Sequence, residues 1–318
     1  MGSMYMSDYD QDRRIIAIAG PTAAGKTEFA IQAALMLDGE VVSCDSMQLY
    51  KYMDIGSAKP TKEQRAVVPH HLVDMIDPRD EFSAAKYQKL AKDAISDIFS
   101  RGKQPVICGG TGLYLESLLY DMDFASEPGD PREREKYYKI AEEEGPEALY
   151  ERLSALSPDS AARIHPNNIK RVVRALEAAE NGDPIEDINT CPEKTKDYNA
   201  VLIGITRDRE ELYDRINRRV DILMEEGLLN EVKMLVDMGL DFDDISMKGI
   251  GYKELIGHLN GEYDLDEAVR LIKRNTRHYA KRQMTWFRRY KDMKWFNVSD
   301  YDSDAECVKD MIGWLSKR

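Results

Sequence analysis

Apolar positions in the first third of the chain switch between two periods. Short runs at Ile15–Ala19, Glu40–Cys44 and Pro105–Cys108 are almost unbroken and rich in β-branched residues, as strands buried on both faces are. Between them the spacing becomes three and four residues. Phe29, Ala30, Ala33, Ala34 and Leu37 share one side of a helix predicted over Lys26–Leu37 and stopped by Gly39. Tyr87, Leu90, Ala91, Ala94, Ile95 and Ile98 do the same after Ser83, a helix-capping residue, with Gly102 as the stop. His71–Met75 is a further candidate strand. Strands alternating with helices predict an α/β fold: a doubly wound parallel sheet whose ligands sit beyond the carboxyl ends of the strands.

From about Asp121 to Thr195 the strand signal vanishes. Charged helical stretches replace it at Pro131–Glu144, Pro146–Leu156 and Asn168–Asn181, which reads as a helical insertion. Ala200–Ile205 returns to strand. Asp208 and Glu211 then resemble a capping box opening one long helix, with Leu212, Ile216, Val220, Leu223 and Met224 in phase, that ends at Gly239. A glycine-containing loop around Gly249 and Gly251, a helix over Asp264–Tyr290, a strand over Lys294–Val298 and a last helix from about Ser303 complete the chain. The expected domains are 12–121 and 197–318 as a split core, with 122–196 as the insertion.

A length of 318 residues, 42% hydrophobic and 32% charged, suits a soluble globular protein of about two domains. No apolar run approaches the roughly 18 residues of a membrane helix. Met1-Gly2-Ser3-Met4 reads as a cloning remnant, since no apolar stretch follows it as in a signal peptide. Cys44, Cys108, Cys191 and Cys307 form no C-x-x-C pair, so neither a disulfide framework nor a zinc site is indicated, and a reducing cytoplasm fits. The net charge of −13 argues against a polyanionic partner only until its distribution is considered. Arg270–Lys291 holds nine Lys and Arg and no acid, leaving −22 for the rest of the chain. A basic stripe carrying Trp286 on an acidic body is suited to RNA, by phosphate contacts and stacking.

The chemistry begins at Gly20-Pro21-Thr22-Ala23-Ala24-Gly25-Lys26-Thr27, a G-x-x-x-x-G-K-T loop between a strand and a helix. Its backbone N–H groups and the positive end of the helix converge on an anion. Lys26 adds a mobile charge, and the Thr27 hydroxyl is placed to hold Mg²⁺. The strand Pro105–Cys108 ends in Gly109-Gly110-Thr111 without the acid that most P-loop hydrolases carry there. The acid ends the second strand instead, as Asp45. It suits a general base, could hold metal through water, or could cap a turn with Ser46. On the residues alone, Arg219 reads as a surface ion pair on a charged helix. His70 and His71 read as structural.

Eight segments in order resemble one family. Gly20–Thr27 is similar to its GPTxxGKT, Asp45–Tyr50 to DSxQxY and Met53–Pro60 to MDIGTAKP. Gly109–Tyr114 is similar to GGTxLY, Arg163–Asn167 to RIHPN and Arg215–Asp221 to RIxxRVD. Gly249–Tyr252 and Lys281–Trp286 are similar to GxGY and KRQxTW. By these the chain resembles the bacterial tRNA dimethylallyltransferases, over nearly its whole length. It departs at Ala24, where Ser is frequent, and at Ser57, where Thr is; the zinc finger of eukaryotic relatives has no counterpart.

The resemblance implies transfer of the dimethylallyl group from dimethylallyl diphosphate to the exocyclic amine of the adenosine 3′ of the anticodon, with diphosphate as the leaving group in the P-loop. It implies Asp45 as base, Arg219 and Thr27 as catalytic partners, Thr22 and Thr27 as diphosphate-side hydroxyls, and Mg²⁺ at Thr27. Contacts to the tRNA anticodon stem-loop are implied for Asp45, Ser46, Met47, Gln48, Thr111 and Arg134, and for Lys170, Arg171, Val172, Val173 and Arg174. They are implied also for Lys248, Gly249, Ile250, Gly251, Tyr252 and Lys253, and for Lys281, Arg282, Gln283, Met284, Thr285, Trp286, Phe287 and Arg288. A monomer, no membrane association and no obligate protein partner are expected. A P-loop kinase of a small molecule or nucleotide would suit the first 120 residues, but has no need of the basic stripe. A non-catalytic RNA-binding protein would not need Lys26, Thr27 and Asp45 intact, and an enzyme prenylating free AMP would need neither insertion nor stripe.

Overall fold

The computed structural model describes residues 13–122, 131–180 and 193–318. They fall into two compact units, one within Met1–Tyr120 and Lys194–Arg318, the other within Asp121–Glu193. In the larger unit β1 (Arg14–Ala19), β2 (Gly39–Cys44), β3 (His70–His71), β4 (Gln104–Gly109), β5 (Asn199–Thr206) and β6 (Lys294–Asn297) form one sheet. The order is β3-β2-β4-β1-β5-β6, with every pairing parallel. Helices α1 (Lys26–Met36), α2 (Lys62–Val67), α3 (Ala84–Ser100) and α4 (Gly112–Leu119) belong to this unit. The smaller unit holds α5 (Pro131–Glu143), α6 (Pro146–Leu156), α7 (Pro158–Ala161) and α8 (Ile169–Glu180). The larger unit resumes with α9 (Arg209–Glu225), α10 (Leu228–Asp237), α11 (Tyr252–Leu259), α12 (Leu265–Phe287) and α13 (Asp304–Leu315).

Alternate residues of β1 enter two different cores, as a strand with helices on both faces must. Ile16 and Ile18 pack with Phe29 and Ala33 of α1 and Met311 and Leu315 of α13. Ile15 and Ala17 pack with Tyr87 and Ile95 of α3 and Leu115 and Leu118 of α4. A third cluster joins α10, α11 and the start of α12 around Met53, Leu235, Tyr252 and Ile272. Ala19 and Cys44 both lie opposite Gly109 in the register, so the chain leaves β1, β2 and β4 side by side at Gly20, Asp45 and Gly110. Those three exits are the floor of the site.

Several expectations are corrected. The helix predicted from Asp208 to Gly239 is two helices, because Gly227 adopts φ +101°, a conformation that a helix interior excludes, and serves as the cap of α10. The hydrophobic period runs straight across this break and hides it. The capping box does not form: the Asp208 carboxylate accepts from Asn297 Nδ2, while Glu211 pairs with Arg207 and accepts from Ser299. The strand expected over His71–Met75 is only His70–His71. His71 Nε2 lies 2.6 Å from Glu40 and His70 Nδ1 2.7 Å from the Val68 carbonyl, both structural contacts. Short α2, α4 and α11 fall where no helix was expected. Ser83 caps α3 as expected, accepting from Lys86 N–H at 3.2 Å. Among the described residues no helix is long and apolar enough to cross a membrane.

Candidate active site

The loop Gly20–Thr27 is held by its peptide planes. A trans peptide points its C=O and the following N–H in opposite directions, so fixing one aims the other. Arg215 Nε donates to the Ala23 carbonyl at 3.1 Å, and Arg207 Nε donates to the Ala24 carbonyl at 3.3 Å. The N–H groups of Ala24 and Gly25 are thereby turned away from those arginines. Gly25, in the left-handed region at φ +103°, caps α1, whose first N–H groups have no intrahelical acceptor. Lys26 Nζ donates to the Pro21 carbonyl at 2.8 Å. Desolvation lowers the Lys26 pKa, opposed by Cys108 and Asp45 and reinforced by Arg219. Arg207 is itself buried and ion-paired to Glu211 and Asp304, so its charge does not stand alone in the interior.

Asp45 leaves β2 in a turn. One carboxylate oxygen accepts from Met47 N–H at 2.9 Å, the turn-capping bond that Asp favours. This contact orients the carboxylate through one of its two oxygens. Thr111 ties the β4 exit to the β2 exit: its N–H donates to the Cys44 carbonyl at 3.1 Å, and its hydroxyl accepts from Ser46 N–H at 3.0 Å. The Gln48 amide accepts from the Ser43 hydroxyl at 2.9 Å and donates to the Ala58 carbonyl at 3.3 Å.

Two cavities meet above these turns. One, of about 660 Å³, is lined by Lys26 and Thr27 of the P-loop together with Lys59, Arg65 and Arg215. The other, of about 460 Å³, has a more apolar wall: Met47, Phe82, Tyr114, Ile216, Val220, Leu228 and Tyr279. Thr22, Ala23, Asp45, Ser57, Ala58, Arg219 and Leu223 line both. Asp45 and Arg219 therefore stand where a polar chamber, lined by cations and also by Glu28, Asp54, Glu226 and Asp304, opens into an aromatic and aliphatic one. Desolvation lowers the Arg219 pKa, and Asp45 raises it in part. The hydroxyls of Thr22 and Thr27 give the first chamber hard oxygen donors of the kind that Mg²⁺ takes when substrate phosphates supply its other ligands. Among the described residues no cluster of three His, Cys, Asp or Glu forms a cage of its own.

Residues 48–290 match the family model described as IPP transferase. The chain belongs to the IPP transferase family. It is 50% identical over 306 residues to the tRNA dimethylallyltransferase of Alkaliphilus oremlandii (strain OhILAs), covering 95% of this chain and 98% of that one. It resembles the crystal structure of the full-length tRNA isopentenylpyrophosphate transferase from Bacillus halodurans, at 43% identity and a TM-score of 0.72, over 96% of each chain. It also resembles a eukaryotic dimethylallyltransferase captured acting on tRNA, at 29% identity and a TM-score of 0.80, over 96% of this chain and 80% of that one.

Within this IPP transferase the residues expected at an RNA surface separate by burial. Lys281, Arg282 and Thr285 on α12 and Arg288 at its C-terminal cap are exposed, as is Lys248; Ser46, Met47, Thr111, Lys253, Met284 and Trp286 are half-buried. Lys248, Gly249, Ile250, Gly251, Lys253 and Arg282 line the apolar chamber. Others need correction. Phe287 is fully buried in the core beneath the sheet, and Gln283 is 5% exposed with both ends of its amide bonded inside the protein. Tyr252 is 1% exposed and its hydroxyl donates to Glu231 at 2.8 Å. The Gln48 amide gives one acceptor site to Ser43 and one N–H to Ala58. In the smaller unit Val172 and Val173 pack on Leu149, Leu153 and Leu176, while Lys170, Arg171 and Arg174 are exposed on the other side of α8. The Arg134 guanidinium is held by Glu177, at 2.7 and 3.1 Å. Cys44 ends β2 and Cys108 is the last residue but one of β4, with burial pushing both thiols up, to about 12 and about 11; Cys191 lies outside the described residues.

Arg207 and Arg215 were not foreseen, since their acceptors are carbonyls more than 180 residues away. Neither was Glu231, whose buried carboxylate accepts from the N–H groups of Asp54, Ile55 and Gly56 as well as from Tyr252. That loop continues to Ser57 and Ala58 in the shared wall. A lone acid in an apolar stretch (Leu228–Leu235) was the available signal for Glu231.

Proposed function

We propose that this enzyme transfers the dimethylallyl group from dimethylallyl diphosphate to the exocyclic amine of the adenosine immediately 3′ of the anticodon in tRNA, releasing diphosphate. The observation carrying the reading is the wall shared by the two cavities. A diphosphate in the P-loop chamber and an adenine among Met47, Phe82, Tyr114 and Tyr279 would meet at Asp45 and Arg219. The bond between the allylic carbon and its diphosphate oxygen breaks, that carbon bonds to the amine nitrogen, and the nitrogen's proton passes to Asp45. The amine is a weak nucleophile because its lone pair is delocalised into the ring, and a placed base contributes about 10²–10⁴-fold.

Charge builds on the departing oxygens, where the free N–H groups of the loop, Lys26 and Arg219 would stabilise it; losing one such donor typically costs about 10²–10³ in rate. When bound beside Thr27, Mg²⁺ would neutralise part of the same charge. The acceptor base must leave its stack, and an anticodon loop yields one at low cost. The phosphates around it are the partners for exposed Lys248, Lys281, Arg282 and Arg288; Lys170, Arg171 and Arg174 of the 122–196 insertion suit phosphates of the same RNA in their own right. A tRNA substrate supports a cytoplasmic site of action.

The test is incubation with allyl-labelled dimethylallyl diphosphate and an anticodon stem-loop RNA carrying that adenosine. Label should enter the RNA and be lost when inosine replaces the adenosine. Phosphoryl transfer from ATP with no label in RNA would refute the reading in favour of a kinase.

A further inference from the structure

The role of Gln283 follows from what surrounds it. It lies on the inward side of α12, in line with Ala280 and Phe287, while Lys281, Arg282, Thr285 and Arg288 face outward. Its Oε1 accepts from Thr22 N–H at 2.8 Å, and its Nε2 donates to the Gly110 carbonyl at 2.9 Å. The turn after β4 is shaped to admit it. A Cβ on Gly110 would lie 2.2 Å from Gln283 Nε2, and a Cβ on Gly112 would lie 2.4 Å from the Trp286 ring. Both distances are shorter than any real Cβ approach, so two glycines of this turn leave room for α12.

The consequence lies on the other edge of one peptide. With Thr22 N–H drawn toward α12, the Pro21 carbonyl of the same planar unit points the opposite way, and there it accepts Lys26 Nζ at 2.8 Å. We infer that Gln283 is a positioning residue for the diphosphate cradle: by fixing the Pro21–Thr22 peptide it sets where the Lys26 ammonium docks. It completes a set in which Arg215 and Arg207 fix the carbonyls of Ala23 and Ala24. The Thr22 N–H is consumed in this arrangement, so the phosphate-facing group of that residue is its hydroxyl. A helix otherwise bearing RNA-facing cations thus reaches into the anion site through one neutral amide.

This inference rests on the diphosphate reading above, and one of its tests does not. Gln283→Met keeps the volume and removes both bonds. With Lys26 no longer set by that peptide, kcat/KM for dimethylallyl diphosphate should fall roughly five- to tenfold, with the Kd for stem-loop RNA within about twofold. A raised RNA Kd with unchanged kcat/KM would make Gln283 an RNA contact and overturn the inference. So would a lowered Tm with every kinetic constant unchanged, which would make it merely structural. Independently of any substrate, amide exchange at Thr22 in the wild-type protein should be strongly protected; free exchange there overturns the inference even if the variant fails to fold.

Discussion

Glu231→Gln isolates a single carboxylate that organises the loop between β2 and α2. Glu231 is 8% exposed, and its two oxygens accept four donors: Asp54 N–H at 2.7 Å, Ile55 N–H at 2.8 Å, Gly56 N–H at 3.0 Å and Tyr252 hydroxyl at 2.8 Å. An amide of the same shape offers one oxygen and one NH₂. The variant's best arrangement keeps its oxygen on Asp54 and Ile55 and turns the Tyr252 hydroxyl to accept from the NH₂. The Gly56 N–H then faces a donor, and the remaining bonds lose their charge. One buried donor left unsatisfied costs about 1–3 kcal/mol, and bonds to a charged acceptor are worth about 1.5–3 against about 1 for neutral ones. Together these predict a loss of about 3 kcal/mol. Equilibrium urea unfolding should show the midpoint falling with an unchanged slope. Turnover should fall as well, because Ser57 and Ala58 follow this loop into the wall shared by the two cavities. A loss below about 1 kcal/mol with normal turnover would refute the claim that this carboxylate holds the wall.

Glu40 makes acid sensitivity predictable. Hydrogen bonding to Arg101, with His71 adding to it, lowers its pKa from 4.5 to about 2. The folded pKa lies below the unfolded one, so this stabilisation is complete above about pH 4.5 and is lost as pH falls toward 2. Across that window wild-type stability should drop more steeply than that of Glu40→Gln; parallel slopes in acid titrations followed by circular dichroism would count against the pairing. Replacing Lys281, Arg282 and Arg288 together should weaken stem-loop binding and reduce its logarithmic salt slope by up to about 3, near one for each phosphate no longer neutralised. A slope equal to the wild type's would remove α12 from the interface.

The sheet was readable because buried parallel strands are nearly unbroken apolar runs, and Arg14–Ala19 and Gln104–Gly109 are such runs. Helices of six to eight residues were not, since α2 and α11 are too short for a period to establish itself. The break at Gly227 was masked because Leu223 and Leu228 stay in phase across it. At the site, a motif names a string of residues, whereas a helix divides that string between two faces. Within Lys281–Arg288 the inward pair Gln283 and Phe287 continues the buried stripe from Ile272 and Ala280, and that four-residue spacing marks them as core. The same reasoning separates Val172 and Val173 from Lys170, Arg171 and Arg174. Arg207 and Arg215 carry no comparable signal, because side-chain bonds to distant carbonyls leave no periodicity.

The most direct test concerns the carboxylate where the two chambers join. With wild-type and Asp45→Asn enzyme, each saturated with stem-loop RNA and dimethylallyl diphosphate, the single-turnover rate of prenyl transfer should fall about 10²-fold or more in the variant while both ligands still bind with near wild-type affinity. Transfer within about threefold of wild type, less than the effect of a placed base, would show that the adenine amine gives its proton to some other group.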